Sequence, residues 1–168
     1  MQNNKRIEQL VLQLQLEKHP EGGYYKEVYR SSEIILEESL PERYSGDRSF
    51  ATSIYYLIDG EYPSLFHRLK SDEIWHFYEG SPVDVHIIDP GGNYTRITMG
   101  DLSMQNHNYQ ITIPKNHWFG GIVRKRDSYT LLGCTVSPGF DFKDFEMAEQ
   151  DSLLSKFPEH REIILKLT

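Results

Sequence analysis

Residues 60–80 read Gly60-Glu-Tyr-Pro-Ser-Leu-Phe-His67-Arg-Leu-Lys-Ser-Asp-Glu73-Ile-Trp75-His-Phe77-Tyr-Glu-Gly80. Two short apolar-aromatic runs flank a charged turn, a pattern that reads as a hairpin of two strands. Side chains alternate along a strand, so Leu65, His67 and Leu69 share one face of the first run. Glu73, Trp75 and Phe77 share one face of the second, with Ile74, His76 and Tyr78 on the other. With the first-named faces turned inward, His67 and Glu73 meet in an aromatic-walled cavity. A titratable pair in such a place marks a candidate site.

Outward from this hairpin the chain is rich in strand patterns. Upstream, Asn4 is placed to cap a helix over about 4–15, whose Ile7, Leu10, Val11 and Leu14 form one apolar stripe. His19-Pro20-Glu21-Gly22-Gly23 stops that helix, and His19, biased to extended geometry before proline, reads as a turn or strand-end residue. Tyr24–Ser32 and Ser49–Asp59 are strands, and acidic Glu33–Asp47 is a surface excursion between them. Downstream, Val83–Ile88 and Tyr94–Met99 flank the hairpin signal Asp89-Pro-Gly-Gly-Asn93. A polar loop over Gly100–Asn108 precedes strands at Tyr109–Pro114, Trp118–Arg124 and Ser128–Ser137, and two short helices at Asp151–Phe157 and Glu159–Leu167 end the chain. Eight to eleven short strands, with no strand–helix alternation, predict an all-β antiparallel jelly roll over about 24–147 with helices only at its ends. The whole of 1–168 reads as one domain.

Composition narrows the function class. A formal net charge of −7, with no basic run, argues against general nucleic-acid binding. The single cysteine, Cys134, excludes an intramolecular disulfide and a cysteine-rich zinc site, and its apolar surroundings read as those of a buried structural thiol. No stretch approaches the ~20 apolar residues of a membrane span, and residues 7–16, interrupted by Glu and Gln, do not resemble a signal peptide. The expectation is a cytoplasmic protein.

The spacing Gly60…His67…Glu73…Gly80 resembles the first cupin motif, which carries two histidines, a glutamate and a glycine seven residues further on. Leu65 or Leu69 stands in place of the other histidine. Pro114-Lys-Asn116 resembles the second motif, with Phe119 where its histidine would be. More specifically, His19-Pro-Glu-Gly-Gly-Tyr-Tyr, Tyr29-Arg-Ser, Ser53-Ile-Tyr-Tyr-Leu, Phe66-His-Arg, Asp72-Glu-Ile-Trp-His-Phe and Val136-Ser-Pro-Gly-Phe-Asp-Phe-Lys-Asp-Phe-Glu resemble cupin family five. The resemblance implies a double-stranded β-helix of the RmlC-like jelly-roll type, commonly paired as a homodimer. It implies no particular reaction.

Three chemistries are open. Metal-dependent cupins present three histidines and one carboxylate, of which only His67 and Glu73 stand at motif positions here, so no cofactor is expected and a divalent metal at those two residues is the alternative. RmlC-like epimerases use no metal, and His67 oriented by Glu73 could form their acid–base dyad as the catalytic residues. The pocket could also simply bind a small polar metabolite such as a sugar or sugar nucleotide, with Tyr55, Trp75, Phe77 and Trp118 as stacking walls and His67, Glu73 and Gln110 as polar anchors.

Overall fold

The computed structural model describes residues 2–168, with side chains from Lys5 onward. The N-terminal helix α1 (Gln2–Gln13) starts before Asn4, whose expected capping side chain lies outside the described ones. After it come β1 (Glu17–Lys18), β2 (Tyr24–Arg30), the small hairpin β3 (Ile34–Ile35) and β4 (Arg48–Ser49), then β5 (Thr52–Asp59), β6 (Ser64–Leu69) and β7 (Asp72–Gly80). The chain continues through β8 (Val83–Ile88), β9 (Tyr94–Met99), β10 (His107–Asn108), β11 (Gln110–Ile113), β12 (Trp118–Val123), β13 (Tyr129–Ser137) and β14 (Phe145–Met147), and ends in α2 (Gln150–Lys156) and α3 (Arg161–Leu167). The strands exceed the expected number because β1, β3, β4, β10 and β14 are only two or three residues long, too short to show a period of two.

Two six-stranded sheets, in the orders β1-β2-β5-β13-β7-β11 and β10-β9-β8-β12-β6-β14, form the jelly roll. The pairings are antiparallel except for β9 with β10. Alternation explains the layers. On β5, Tyr56 and Ile58 face inward to a core that includes Trp75, Val85, Ile111, Phe119, Leu132 and Cys134. Leu57, between them, faces outward yet is fully buried, because the stripe Ile7 and Leu10 of α1 covers it together with Tyr129 and Leu131. On the second sheet Phe66, Ile88 and Trp118 face outward and are buried by Leu153, Ile164 and Leu167 of the C-terminal helices and by Phe157 between them. Both sheets are therefore sandwiched from outside as well as from within.

Gly80 shows what the motif spacing secures. Its φ is +108°, and a Cβ there would stand 2.3 Å from Tyr129 O. The left-handed turn lets Ser81 N–H donate to that same carbonyl at 2.8 Å, so only glycine fits the end of β7. Among the described residues no helix is long and apolar enough to cross a membrane.

Candidate functional site

A cavity of about 340 Å³ opens between the sheets, walled by residues of β2, β5, β6, β7, β13 and the segment 140–145. That volume lies in the range of small-molecule sites. His67 and Glu73 both line it, from β6 and β7. They do not form the expected pair. The carboxylate within reach of His67 is Glu21, whose Oε2 lies 3.0 Å from Nε2.

Glu21 arrives there through the turn at residues 19–23. Gly22 has φ +106°, and a Cβ on it would lie 2.6 Å from Pro63 O. Only a glycine lets this loop press against the start of β6. Leu65 N–H then donates to Glu21 O at 2.7 Å, and Ser64 Oγ donates to Glu21 Oε1 at 3.2 Å. His19, at the head of the same turn, puts Nδ1 3.4 Å from Glu21 Oε2. Two imidazoles thus flank one buried carboxyl.

The hydrogen bonds fix where protons sit. His67 Nδ1 lies 2.8 Å from Leu65 O. A carbonyl only accepts, so Nδ1 carries the hydrogen and Nε2 of the neutral ring bears a lone pair. That lone pair faces a carboxyl oxygen at 3.0 Å, and two lone pairs do not approach so closely without a proton between them. The His67–Glu21 pair therefore holds one mobile proton. Burial raises the Glu21 carboxyl and lowers His67 from 6.5 to about 4 against the opposing bond to Leu65 O. Both favour the neutral form, with Glu21 donating to Nε2.

Glu73 is 7% exposed. Its carboxyl is pushed from 4.5 to about 8, first by burial and then by the nearby Glu21, while the Trp75 indole N–H and the Cys134 thiol oppose the rise. Glu73 is thus a neutral acid at pH 7. Trp75 Nε1 itself is buried without a hydrogen-bond partner. Burial also drives the Cys134 thiol well above its ordinary value, so it is an inert wall here.

These shifts give stability a definite dependence on pH. Glu73 is raised in the fold, so its stabilising contribution is complete below 4.5 and is lost as pH rises toward about 8. His67 is lowered, so its contribution is present above 6.5 and lost as pH falls toward about 4. The two oppose each other between 4.5 and 6.5, and above 6.5 Glu73 acts with only Glu21, raised in the same sense. Urea unfolding is expected to show the wild type losing up to about 2 kcal/mol from Glu73 between pH 6.5 and 8, at ~1.4 kcal/mol per unit. Glu73→Gln removes that share of the slope; an unchanged slope contradicts the assignment.

The other expected site residues lie elsewhere. Tyr55 alternates with inward-facing Tyr56 and packs on the outer side of the first sheet, beside Tyr78. Gln110 pairs with His76, whose Nε2 contacts Thr135 on that outer face, and is exposed. Trp118 points away from the cavity into the cluster under the C-terminal helices, with Arg68 over its ring at 4.4 Å. Trp75 and Phe77 do face inward, but Trp75 is core, and Phe77 stacks on Tyr109. None of the five lines the cavity. Its aromatic wall is instead Tyr25, Tyr56, Phe140, Phe142 and Phe145.

A family model described as Cupin superfamily (DUF985) matches residues 8–148. The chain belongs to this cupin family. A solved structure of protein SO0799 from Shewanella oneidensis is 37% identical with a TM-score of 0.86, covering 100% of this chain and 98% of that one. A hypothetical protein from Leishmania major is 36% identical with a TM-score of 0.85, over 96% and 97% of the two chains. The uncharacterized protein YML079W of Saccharomyces cerevisiae is 28% identical over 82% of this chain and 73% of its own. Oxalate decarboxylase of Bacillus subtilis, at 14% identity and a TM-score of 0.54, covers 90% of this chain and 37% of that one and shares the fold alone.

The residues of this cupin do not fit a three-histidine, one-carboxylate metal set. Both ring nitrogens of His67 are engaged, by Leu65 O and by Glu21. Phe119, its cross-strand neighbour, packs its ring 4.1 Å from the imidazole. Leu69 lines the cavity without a lone pair to offer. Among the described residues no three His, Cys, Asp or Glu groups converge as a metal site.

Proposed function

We propose that the cavity binds a small polar metabolite and moves a proton on it by metal-free acid–base chemistry, as in an isomerase or epimerase. The observation that carries this reading is the 3.0 Å contact of His67 Nε2 with Glu21 Oε2, made in the wall of a cavity that Glu73 also lines. Glu73, poised near 8, is the base, since a general base works best with a pKa near the operating pH. Its carboxylate takes the proton from a carbon next to a carbonyl. The Glu21–His67 pair gives its shared proton to the carbonyl oxygen, and the resulting enediol isomerises when the pair retakes a proton from the neighbouring hydroxyl and Glu73 returns its proton to the former carbonyl carbon. His67 and Glu21 replace the expected His67–Glu73 dyad, and Glu73 works opposite them. The cavity is lined within a single chain, so the reading stands with or without the homodimer that the resemblance implies.

The test is incubation with neutral aldoses, ketoses and amino sugars in deuterated water, followed by mass spectrometry and NMR. A substrate gains deuterium at the carbon beside its carbonyl, with a rate that rises as pH approaches 8 and Glu73 ionises. Binding without exchange overturns the catalytic part and leaves a binding protein. Neither binding nor exchange overturns the whole reading.

A further inference from the structure

We infer that the metabolite carries a positive charge, an amine or ammonium group received by the Glu73 carboxylate inside an aromatic cage. This rests on the cavity being the ligand site and names the class of ligand it takes.

Five carboxyls line the cavity, Glu17, Glu21, Glu27, Glu73 and Asp141. Arg30 is the one arginine or lysine among the described lining residues, and it is already committed. Its Nε and Nη2 donate to the two Glu27 oxygens at 3.0 and 2.7 Å, Nη2 also reaches Phe140 O at 3.1 Å, and Nη1 reaches Ser49 Oγ at 3.4 Å. Arg30 and Glu27 cancel as a forked pair, leaving Glu17 and Asp141 as lining carboxylates outside any ion pair among the described residues, with Asp141 in the field of the Arg48–Asp144 pair. A phosphate or diphosphate entering here meets carboxylates and no free cation. A cation is drawn in, and the formal net charge of −7 adds long-range attraction.

Acidic residues alone would not make a site, but two independent features point to the same ligand. The first is the aromatic cluster. His19 stands edge-on to Tyr25 at 4.7 Å and to Phe145 at 5.6 Å, and faces Phe142 at 6.2 Å. Phe140, Phe142 and Phe145 lie 5.0–6.2 Å from one another. Ring faces gathered around a cavity attract ammonium groups through their quadrupoles. The second lies behind the cavity wall, in the core, where the Trp75 indole N–H is buried without a partner and stands beside Glu73 closely enough to favour its ionised form. An arriving ammonium completes this arrangement. It supplies the positive charge that lets Glu73 ionise, and the indole N–H gains a stronger, charged acceptor in the carboxylate than in the neutral carboxyl. At pH 7 the same event converts Glu73 into the base that proton transfer requires, so a charged substrate arms the site below the pH at which Glu73 ionises by itself.

Besides the acids and Arg30, the ionisable groups lining the cavity are His19, His67, Tyr25, Tyr56 and Cys134; burial lowers His19 and raises Tyr25, so both stay neutral at pH 7. The His67–Glu21 pair already shares its proton, and the Tyr56 and Cys134 protons are held well above their ordinary pKa values by burial. The proton displaced on binding is assigned to Glu73, the group that receives the ammonium, and Glu73→Gln distinguishes it from the proton of the His67–Glu21 pair.

Calorimetric titration at pH 7 with benzylamine, benzyl alcohol and benzoate, in phosphate and in Tris, tests this. Benzylamine is expected to bind about tenfold or more tighter than benzyl alcohol, with benzoate weakest, and to release roughly one proton, read as a buffer-dependent heat. Glu73→Gln loses the proton release and the preference for amine. Glu17→Gln, at the acidic wall, keeps the release but weakens benzylamine. Equal or tighter binding of alcohol or benzoate overturns the cationic class while leaving the ligand cavity intact, and so does amine binding without proton release. No binding of any of the three also overturns the cationic class. The cavity reading itself falls only if the sugar panel in deuterated water also shows neither binding nor exchange.

Discussion

Asp144→Ala is expected to lower the unfolding free energy by about 3–5 kcal/mol, the range for stripping one partner from a buried ion pair. Asp144 and Arg48 are 5% and 3% exposed. They meet as a fork, Arg48 Nε donating to Oδ2 at 2.6 Å and Nη2 to Oδ1 at 2.7 Å. Arg48 Nη1 donates to the carbonyls of Ser45, Gly46 and Asp47 at 2.8–2.9 Å. The pair thereby pins the 45–48 turn to the segment that carries Phe142 and Phe145. Removing the carboxylate leaves a guanidinium buried and half-satisfied, and the aromatic wall of the cavity loses its anchor. Glu146→Ala breaks the comparable fork with Arg68, but that pair is partly exposed, 33% and 55% at its side chains. Its expected loss is about 0–1 kcal/mol. Denaturant unfolding of both variants checks the contrast, and similar losses contradict it.

The second large effect concerns chemistry rather than stability. Glu21→Gln keeps the size and the Ser64 contact but cannot hold the mobile proton, and His67→Ala removes its acceptor. Each is expected to slow solvent exchange into a substrate by about 10²–10⁴-fold, the range for one positioned acid or base. The double variant should lose little more than either single one, because the pair acts as a unit. Additive losses would mean that His67 and Glu21 act separately. Thermal unfolding run alongside shows whether the fold is retained.

Much of the fold was legible because long strands print their burial on the sequence. The alternation in Ser53–Ile58, Phe66–Leu69 and Glu73–Phe77 reflects one face on the core and one on solvent or a covering helix. The two-residue strands left no such print, and one of them, β10, lies at the end of a segment read as loop. The site was half legible. His67 and Glu73 stand at motif positions and do line the cavity. Glu21 and His19 were missed because their role depends on a turn pressing against β6, more than forty residues away in sequence. His19 read as a turn residue on the strength of Pro20, yet its ring is part of the wall. A local signal existed: an acid followed directly by Gly22-Gly23 is a carboxyl held where the backbone comes very close to another strand. The aromatic candidates failed on parity. Tyr55, Gln110 and Trp118 occupy the opposite faces from Tyr56, Ile111 and Phe119, and position along a strand, which separates Phe77 from the cavity, is not written in a period of two.

The chemistry of the site depends on His67 being paired with Glu21 as a neutral ring. Nitrogen-15 NMR of the imidazole across pH 4–8, in the wild type, Glu21→Gln and Glu73→Gln, reads this directly. The expected result is a wild-type His67 with Nδ1 protonated and Nε2 an acceptor throughout neutral pH, charging only as pH falls toward about 4, with the Nε2 signal displaced by Glu21→Gln and little by Glu73→Gln. A ring that charges near 6.5, or one whose Nε2 answers to Glu73 and not to Glu21, would contradict it.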